Sequence, residues 1–290
     1  MSDLKATSTI TLADGRALGY REYGAPSGMP LIHAHGGLAC GLDAAWADAA
    51  ARDLDVRVIA PDRPGLLGSD PQMDRVTVDW AGDVAQLADA LGIERFYVAG
   101  WSMGGQYALA CAASLDARVI ATAVLAGAPP LDDATTFGEL NRLDHQLTLL
   151  AQHHPAVARV KFEALAEVAK HSPHVFDRIV LHGMTDASRA AAASLPAPGI
   201  AAAFAPALRS AEGMVEEYRA WARPWGFRPE DIATSIQIWW GEVDPLIPRA
   251  WAASLAERIP NAKLHTIPAA DHMLPLTRYG SIIEALLTAE

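Results

Sequence analysis

The chain has 290 residues, 51% of them hydrophobic, with 23 basic against 34 acidic side chains and a formal net charge of -11. That length and apolar content can bury a large core, which excludes a disordered chain, and an acidity unbroken by any basic cluster argues against nucleic acid or an anionic membrane as partner. The opening MSDLKATSTI lacks a signal-peptide pattern, no stretch approaches the roughly 20 apolar residues of a membrane span, and two cysteines make no disulfide framework, so a cytoplasmic protein with reduced thiols is expected.

Thr7 to Leu12 and Ala17 to Tyr23 read as two antiparallel strands joined at Asp14-Gly15, where both positions tolerate positive φ. Short apolar runs then alternate with helical patterns: Pro30 to Ala34, Val56 to Ala60, Phe96 to Ala99 and Val119 to Leu125 are strand candidates. Val84, Leu87, Ala88 and Leu91 fall on one face of a helix between them. This rhythm predicts parallel pairing with helical crossovers. It stops at Gly127-Ala128-Pro129-Pro130 and resumes with SIQIWW at 235, a helix carrying Trp251, Leu255 and Ile259, the strand KLHTI at 263–267 and a last helix. The residues between hold only helical stretches such as Val157 to Ala169, broken by prolines, and predict a helical insertion, since connections that long are rarely structureless. The expected units are a core of 1–128 and 232–290 with a helical cap over 129–231.

Gly100-Trp101-Ser102-Met103-Gly104-Gly105 sits where the strand FYVAG meets the helix MGGQYALACAAS. A turn this abrupt forces Ser102 into a strained conformation above the carboxyl edge of the sheet, and glycines at 100 and 104 leave room for the bend. A plain helix N-cap serine would need neither glycine. At the helix amino end, the Met103 N–H is a candidate donor to an oxyanion.

A serine nucleophile needs a base, and the base an orienting acid. Six of the ten histidines (His145, His153, His154, His171, His174 and His182) lie in the insertion and read as surface or cap residues. His272, in PAADHMLPL after the final strand, lies at the same sheet edge as Ser102 and is the candidate base. Asp244, in GEVDPLIP, is the candidate acid, with Glu242 nearer the strand and Asp132 or Asp133 as fallbacks; Asp244 gives the order serine, acid, histidine. LIHAHGGLAC supplies Gly37 as the second oxyanion donor, worth roughly 3 to 4 kcal/mol. His33 and His35 as half of a metal site lack a nearby third ligand, so neither metal nor cofactor is expected. Cys111 reads as a small hydrophobe on a helix; Cys40 is placed near a pocket mouth without a catalytic role.

HAHGG, PDRPGLLGSD, GWSMGG, GEVDPLIP and AADHM, in this order, resemble the α/β-hydrolase superfamily with a cap domain. The resemblance implies an α/β fold with a mostly parallel eight-stranded sheet, helices on both faces and an inserted cap. It makes Ser102 the nucleophile, Asp244 the acid, His272 the base, and Gly37 with Met103 the oxyanion hole; PDRPGLLGSD corresponds to a loop of mostly structural role. One departure stands out: where the family often has glycine before the histidine, this chain has Asp271, a nearby negative charge that would favour protonated His272.

Serine at 102 argues against relatives that use aspartate as nucleophile, the haloalkane dehalogenases and epoxide hydrolases. The reading is a carboxylesterase-like serine hydrolase for a small or medium, largely apolar ester, with a small molecule as its partner and a homodimer left open. Leu38 and Trp101 are candidate wall residues, and of Phe137, Phe162, Phe176, Phe204, Tyr218, Trp221, Trp225 and Phe227 about two to four should touch substrate. A carbon–carbon bond hydrolase of ring-fission products, a lactonase, a cofactor-free haloperoxidase or perhydrolase and a proline iminopeptidase share the chemistry. A ligand sensor of the same fold would differ by turning over few ester molecules.

Overall fold

A computed structural model of the protein describes residues 7–132 and 134–289. The chain opens with β1 (Ser8–Thr11) and β2 (Ala17–Gly24), paired antiparallel with Ser8 opposite Tyr20. Their connection differs from the expected two-residue turn. The Gly15 N–H donates to Leu12 O and the Leu12 N–H to Arg16 O, and Gly15 (φ +89°) is left-handed while Asp14 is not. A three-residue loop ending in a left-handed glycine needs only one such position, so Asp14 is free to hold Arg16 through its carboxylate instead.

Next come β3 (Met29–Ala34), α1 (Asp48–Asp53), β4 (Val56–Pro61), α2 (Asp79–Ala90), β5 (Phe96–Trp101), α3 (Gly104–Ser114) and β6 (Val119–Leu125). Among the described residues seven helices follow: α4 (Ala134–Gly138), α5 (Arg142–His153), α6 (Pro155–His171), α7 (Pro173–Val180), α8 (Asp186–Ala193), α9 (Ala201–Leu208) and α10 (Ala211–Trp221). Two of the prolines in this stretch act at helix starts, where a missing N–H costs nothing: Pro155 opens α6 and Pro173 opens α7, whereas Pro206 lies inside α9. Asn141 caps α5 by accepting the Leu143 and Asp144 N–H groups, and Thr185 caps α8 by accepting that of Ser188. The chain closes with β7 (Ser235–Gly241), α11 (Arg249–Arg258), β8 (Ala262–Ile267) and α12 (Leu274–Leu287).

The sheet has eight strands in the order β1-β2-β4-β3-β5-β6-β7-β8, antiparallel only where β2 meets its neighbours. All six residues of β5 are buried, as in a parallel strand covered by helices on both faces. β4 lies on one side of β3 and β5 on the other, so the strand order reverses at β3 and a crevice opens at the carboxyl ends of β3 and β5, where open α/β sheets take their ligands. A single apolar cluster runs from the sheet into the helices between β6 and β7, joining Trp101 and Met103 to Phe162, Phe176 and Phe204.

Candidate active site

The register Ala34 opposite Gly100 brings the ends of β3 and β5 level, so the segments that follow them, His35 to Leu38 and Ser102 to Gly104, lie side by side. Ser102 holds φ +53°, a left-handed conformation that costs a non-glycine residue about 1 to 3 kcal/mol. Two hydrogen bonds keep it there: the Ser102 N–H donates to Leu125 O (2.8 Å) and the Gly105 N–H to Ser102 O (2.9 Å). A Cβ at position 100 would stand 2.3 Å from Gly104 O, and one at 104 would stand 2.1 Å from Ala34 O, so the bend requires both glycines. The helix itself starts at Gly104 with Met103 in the cap position, one residue later than the sequence suggested, so Ser102 is not the cap of α3.

His272 lies between β8 and α12, and its backbone carbonyl accepts the Trp101 indole N–H (2.9 Å), which ties this segment to the end of β5. Its Nδ1 is 3.0 Å from Asp244 Oδ2, and the side chains are 5% and 0% exposed. The other Asp244 oxygen accepts the N–H groups of Leu246 (2.8 Å) and Ile247 (3.0 Å), so the carboxylate is fixed at both ends. Burial pulls the His272 imidazole down, but the charge and hydrogen bond of Asp244, with the charges of Asp144 and then Asp271, outweigh it and hold its pKa above the usual 6.5. Of the alternative acids, Glu242 is exposed, Asp132 faces a separate cleft beside Pro224 and Trp225, and Asp133 lies outside the described residues.

The segment after β3 is held by groups that the sequence reading did not single out. Asp43, 1% exposed, accepts the Gly36 N–H (2.9 Å) and His33 Nε2–H (2.8 Å), while His33 Nδ1 takes the Tyr279 hydroxyl (2.6 Å). Arg63, fully buried, donates to His35 O (2.6 Å) and Gly36 O (3.0 Å) and pairs with Glu217 of α10 (2.7 Å), which also holds Arg75 (3.0 Å). Because the Gly36–Gly37 peptide is trans, a carbonyl aimed at Arg63 turns the Gly37 N–H the opposite way. Among the described residues, neither the Gly37 nor the Met103 N–H has a hydrogen-bond acceptor. Both residues line one cavity, with a Cβ on Gly37 lying 3.2 Å from Met103 Cε. His33 and His35 are thus engaged inside this network. Burial and the Arg63 charge hold His35 well below its usual pKa, which keeps its Nε2 an acceptor for the Arg63 N–H (3.2 Å).

The cavity measures about 560 Å³ and has Ser102, His272, Gly37 and Met103 in its wall. Leu38 and Trp101 are in that wall, with four of the eight singled-out aromatics, Phe176, Phe204, Tyr218 and Trp221. Phe137, Phe162, Trp225 and Phe227 are not; they pack elsewhere. Met184, Leu246 and Met273 also contribute, as does exposed His182. Among the described residues the carboxylate in this wall is that of Asp144, which accepts the Tyr218 hydroxyl (2.8 Å) and the Asn141 amide (2.6 Å), with Arg142 beside it.

Cys40 corrects the sequence reading. It is fully buried, its thiol donates to Ala203 O of α9 (3.3 Å), and burial pushes its pKa up, so it sits under a helix rather than at a mouth. Cys111 is buried on α3, its thiol pushed up to about 12. Among the described residues there is no group of three or more His, Cys, Asp or Glu side chains that could hold a metal, and no helix long and apolar enough to cross a membrane.

This ordering of strands, with a strained serine after β5 and a histidine–aspartate pair after β8 and β7, agrees with the family model described as alpha/beta hydrolase fold, which matches residues 29–279. The chain belongs to the alpha/beta hydrolase family. With that membership it is a hydrolase. No curated protein matches it. Among solved structures, an enol-lactonase from Burkholderia xenovorans LB400 is similar with a TM-score of 0.74 at 20% identity, covering 97% of this chain and 100% of its own. A thermophilic esterase from Thermogutta terrifontis has a TM-score of 0.68 at 20% identity, with 98% of both chains covered. An epoxide hydrolase, CorEH, has the same TM-score, 0.68, at 20% identity and 98% coverage of both chains. An esterase, a lactonase and an epoxide hydrolase at this identity share the fold with this chain while differing in the bond they cleave.

Proposed function

We propose that this hydrolase cleaves a small or medium, largely apolar carboxylic ester through an acyl-enzyme on Ser102, with His272 as base and Asp244 as orienting acid. The observation that carries the reading is the strained Ser102 in the wall of a mostly apolar cavity shared with His272, whose Nδ1 is held by the buried Asp244. Asp244 keeps the imidazole proton on Nδ1, leaving Nε2 to take the Ser102 proton as Oγ bonds to the ester carbon. The carbonyl oxygen becomes an oxyanion facing the Gly37 and Met103 N–H groups. Collapse breaks the carbon–oxygen bond to the alcohol, which leaves with the proton from Nε2. A water molecule then gives its proton to Nε2, bonds to the acyl carbon and releases the acid with Ser102 restored. The helices between β6 and β7 act as a cap, and through Phe176, Phe204, Tyr218 and Trp221 they supply the apolar walls that hold the acyl or alcohol part.

Turnover of p-nitrophenyl esters of graded acyl length, with a lactone and a ring-fission dienone included, tests the proposal. It predicts many turnovers per enzyme on short and medium esters, abolished in Ser102→Ala. Turnover of the dienone or lactone alone would move the assignment to a carbon–carbon hydrolase or a lactonase, and fewer than a few ester turnovers per molecule would favour a sensor.

A further inference from the structure

Asp271 stands where the family often has a residue without a side chain, and its carboxylate is 1% exposed. Its Oδ2 accepts the Thr185 N–H (2.6 Å); its Oδ1 accepts the Ser188 hydroxyl (2.7 Å) and the Met273 N–H (2.9 Å). Thr185 and Ser188 form the first turn of α8, where Thr185 Oγ1 accepts the Ser188 N–H (3.2 Å), so the amino end of this helix is organised around a carboxylate contributed from 83 residues further along the chain. These donors outweigh the cost of burial and keep Asp271 ionised below the usual carboxylate range. On either side of the joint stand two cavity residues, Met184 just before Thr185 and Met273 just after His272.

We infer that Asp271 is a positioning residue that latches the His272 segment to the first turn of α8, so that docking of this cap helix and alignment of the imidazole toward Ser102 are one event. The physical reason is the direction of the bond: the Val243 N–H on Ala270 O (3.0 Å) ties the segment between β8 and α12 to the loop after β7, not to the cap. Trp101 holds the His272 carbonyl from the β5 side, and Asp244 holds the ring from the β7 side. Asp271 adds a further point, and the cap is what it grips. Asp271→Asn keeps the volume but replaces one oxygen with an NH2 group, so a donor must then face a donor at either Thr185 or the Ser188–Met273 pair.

The inference rests on the serine-hydrolase reading, and the experiment separates the two. On an ester that the enzyme turns over, kcat, KM and the pH profile of kcat/KM are measured for the wild type, Ser102→Ala, Asp271→Asn, Ser188→Ala and Asp271→Asn/Ser188→Ala, with thermal unfolding of each. The expected result is a fall in kcat between roughly 10- and 100-fold for Asp271→Asn with KM within about threefold, as for a slightly misplaced reacting group. The limb of its pH profile set by His272, which Asp244, Asp144 and Asp271 together hold up, should move to lower pH. Ser188→Ala should lower kcat by less, and the double variant should fall no further than Asp271→Asn, since both cut the same latch. A folded Asp271→Asn with wild-type kcat and pH profile, or effects of the two substitutions that simply add, would overturn the inference while a dead Ser102→Ala leaves the serine chemistry standing. Turnover retained in Ser102→Ala would instead remove the serine reading. If Asp271→Asn does not fold, Ser188→Ala decides alone, because it removes one of the latch's two bonds to the cap without altering the histidine segment; unchanged kcat there refutes the latch.

Discussion

Asp244→Asn is the perturbation whose outcome the geometry dictates most closely. Asp244 Oδ1 accepts two backbone N–H groups, from Leu246 and Ile247, and Oδ2 faces His272 Nδ1 at 3.0 Å. An asparagine must leave its single carbonyl oxygen on the two N–H groups, because an NH2 group there would oppose two donors, and so it turns its NH2 group toward the imidazole. A donor at Nδ1 displaces that proton to Nε2, the nitrogen that must be empty to take the Ser102 proton. The wrong tautomer in a triad of this type lowers kcat by about 10⁴-fold, equivalent to about 5.4 kcal/mol of barrier at about 1.36 kcal/mol per factor of ten. Both backbone hydrogen bonds survive, so the fold should persist. The assay is kcat on a p-nitrophenyl ester near neutral pH, beside ¹⁵N chemical shifts of the imidazole to read the tautomer and a thermal melt to check folding. A folded Asp244→Asn protein within tenfold of wild-type kcat, or a comparable loss in Asp132→Asn instead, would refute the reasoning.

Three charged groups, Asp244, Asp144 and Asp271, hold the His272 pKa above 6.5, and the imidazole must be neutral to act as a base, so kcat/KM should rise with pH through a midpoint above 6.5. The same raised pKa stabilises the fold fully below about 6.5 and loses that contribution as pH rises through the native value. Asp144→Asn should move the activity midpoint to lower pH and improve turnover of an anionic acyl chain such as a succinate half-ester relative to its neutral analogue; an unmoved midpoint would exclude Asp144 from the site's electrostatics. Gly104→Ala puts a methyl group 2.1 Å from a backbone oxygen, and an overpacked core site of this kind costs about 1 to 3 kcal/mol. Urea unfolding should show that loss together with inactivity, whereas Gly82→Ala, on an exposed position of α2 with nothing within 4 Å of the new methyl group, should stabilise by about 0.5 to 1 kcal/mol.

The parts of the site legible in the sequence are those written by local rules. Strand candidates fell within a residue or two of β1 to β8: the buried parallel strands are short continuous apolar runs bounded by turn residues, and β1 and β2 flank a turn containing Asp14-Gly15. Ser102 could be named because a strand, two glycines and a helix within ten residues admit few backbone paths, and Asp244 and His272 because each follows a strand at one sheet edge. The groups that escaped notice act across long separations. Arg63 and Glu217 are 154 residues apart, and Asp271 and Thr185 are 86 apart. Nothing periodic marks such pairs, and PDRPGLLGSD read as scaffold although its Arg63 orients the carbonyls of His35 and Gly36. Cys40 was misplaced for a related reason: α9, which covers it, lies some 160 residues further on. Asp271 stands out in the sequence as an odd charge, but its donors Thr185 and Ser188 lie more than 80 residues away and no local pattern marks them.

The most direct test of the account is reaction with a fluorophosphonate, which bonds preferentially to an activated serine oxygen with loss of fluoride, followed by peptide mass spectrometry. Stoichiometric phosphonylation of Ser102, absent in Ser102→Ala and strongly slowed in a folded His272→Ala, is the result expected. A protein left unmodified, or modified at another serine with Ser102→Ala labelling as fast as the wild type, would contradict it.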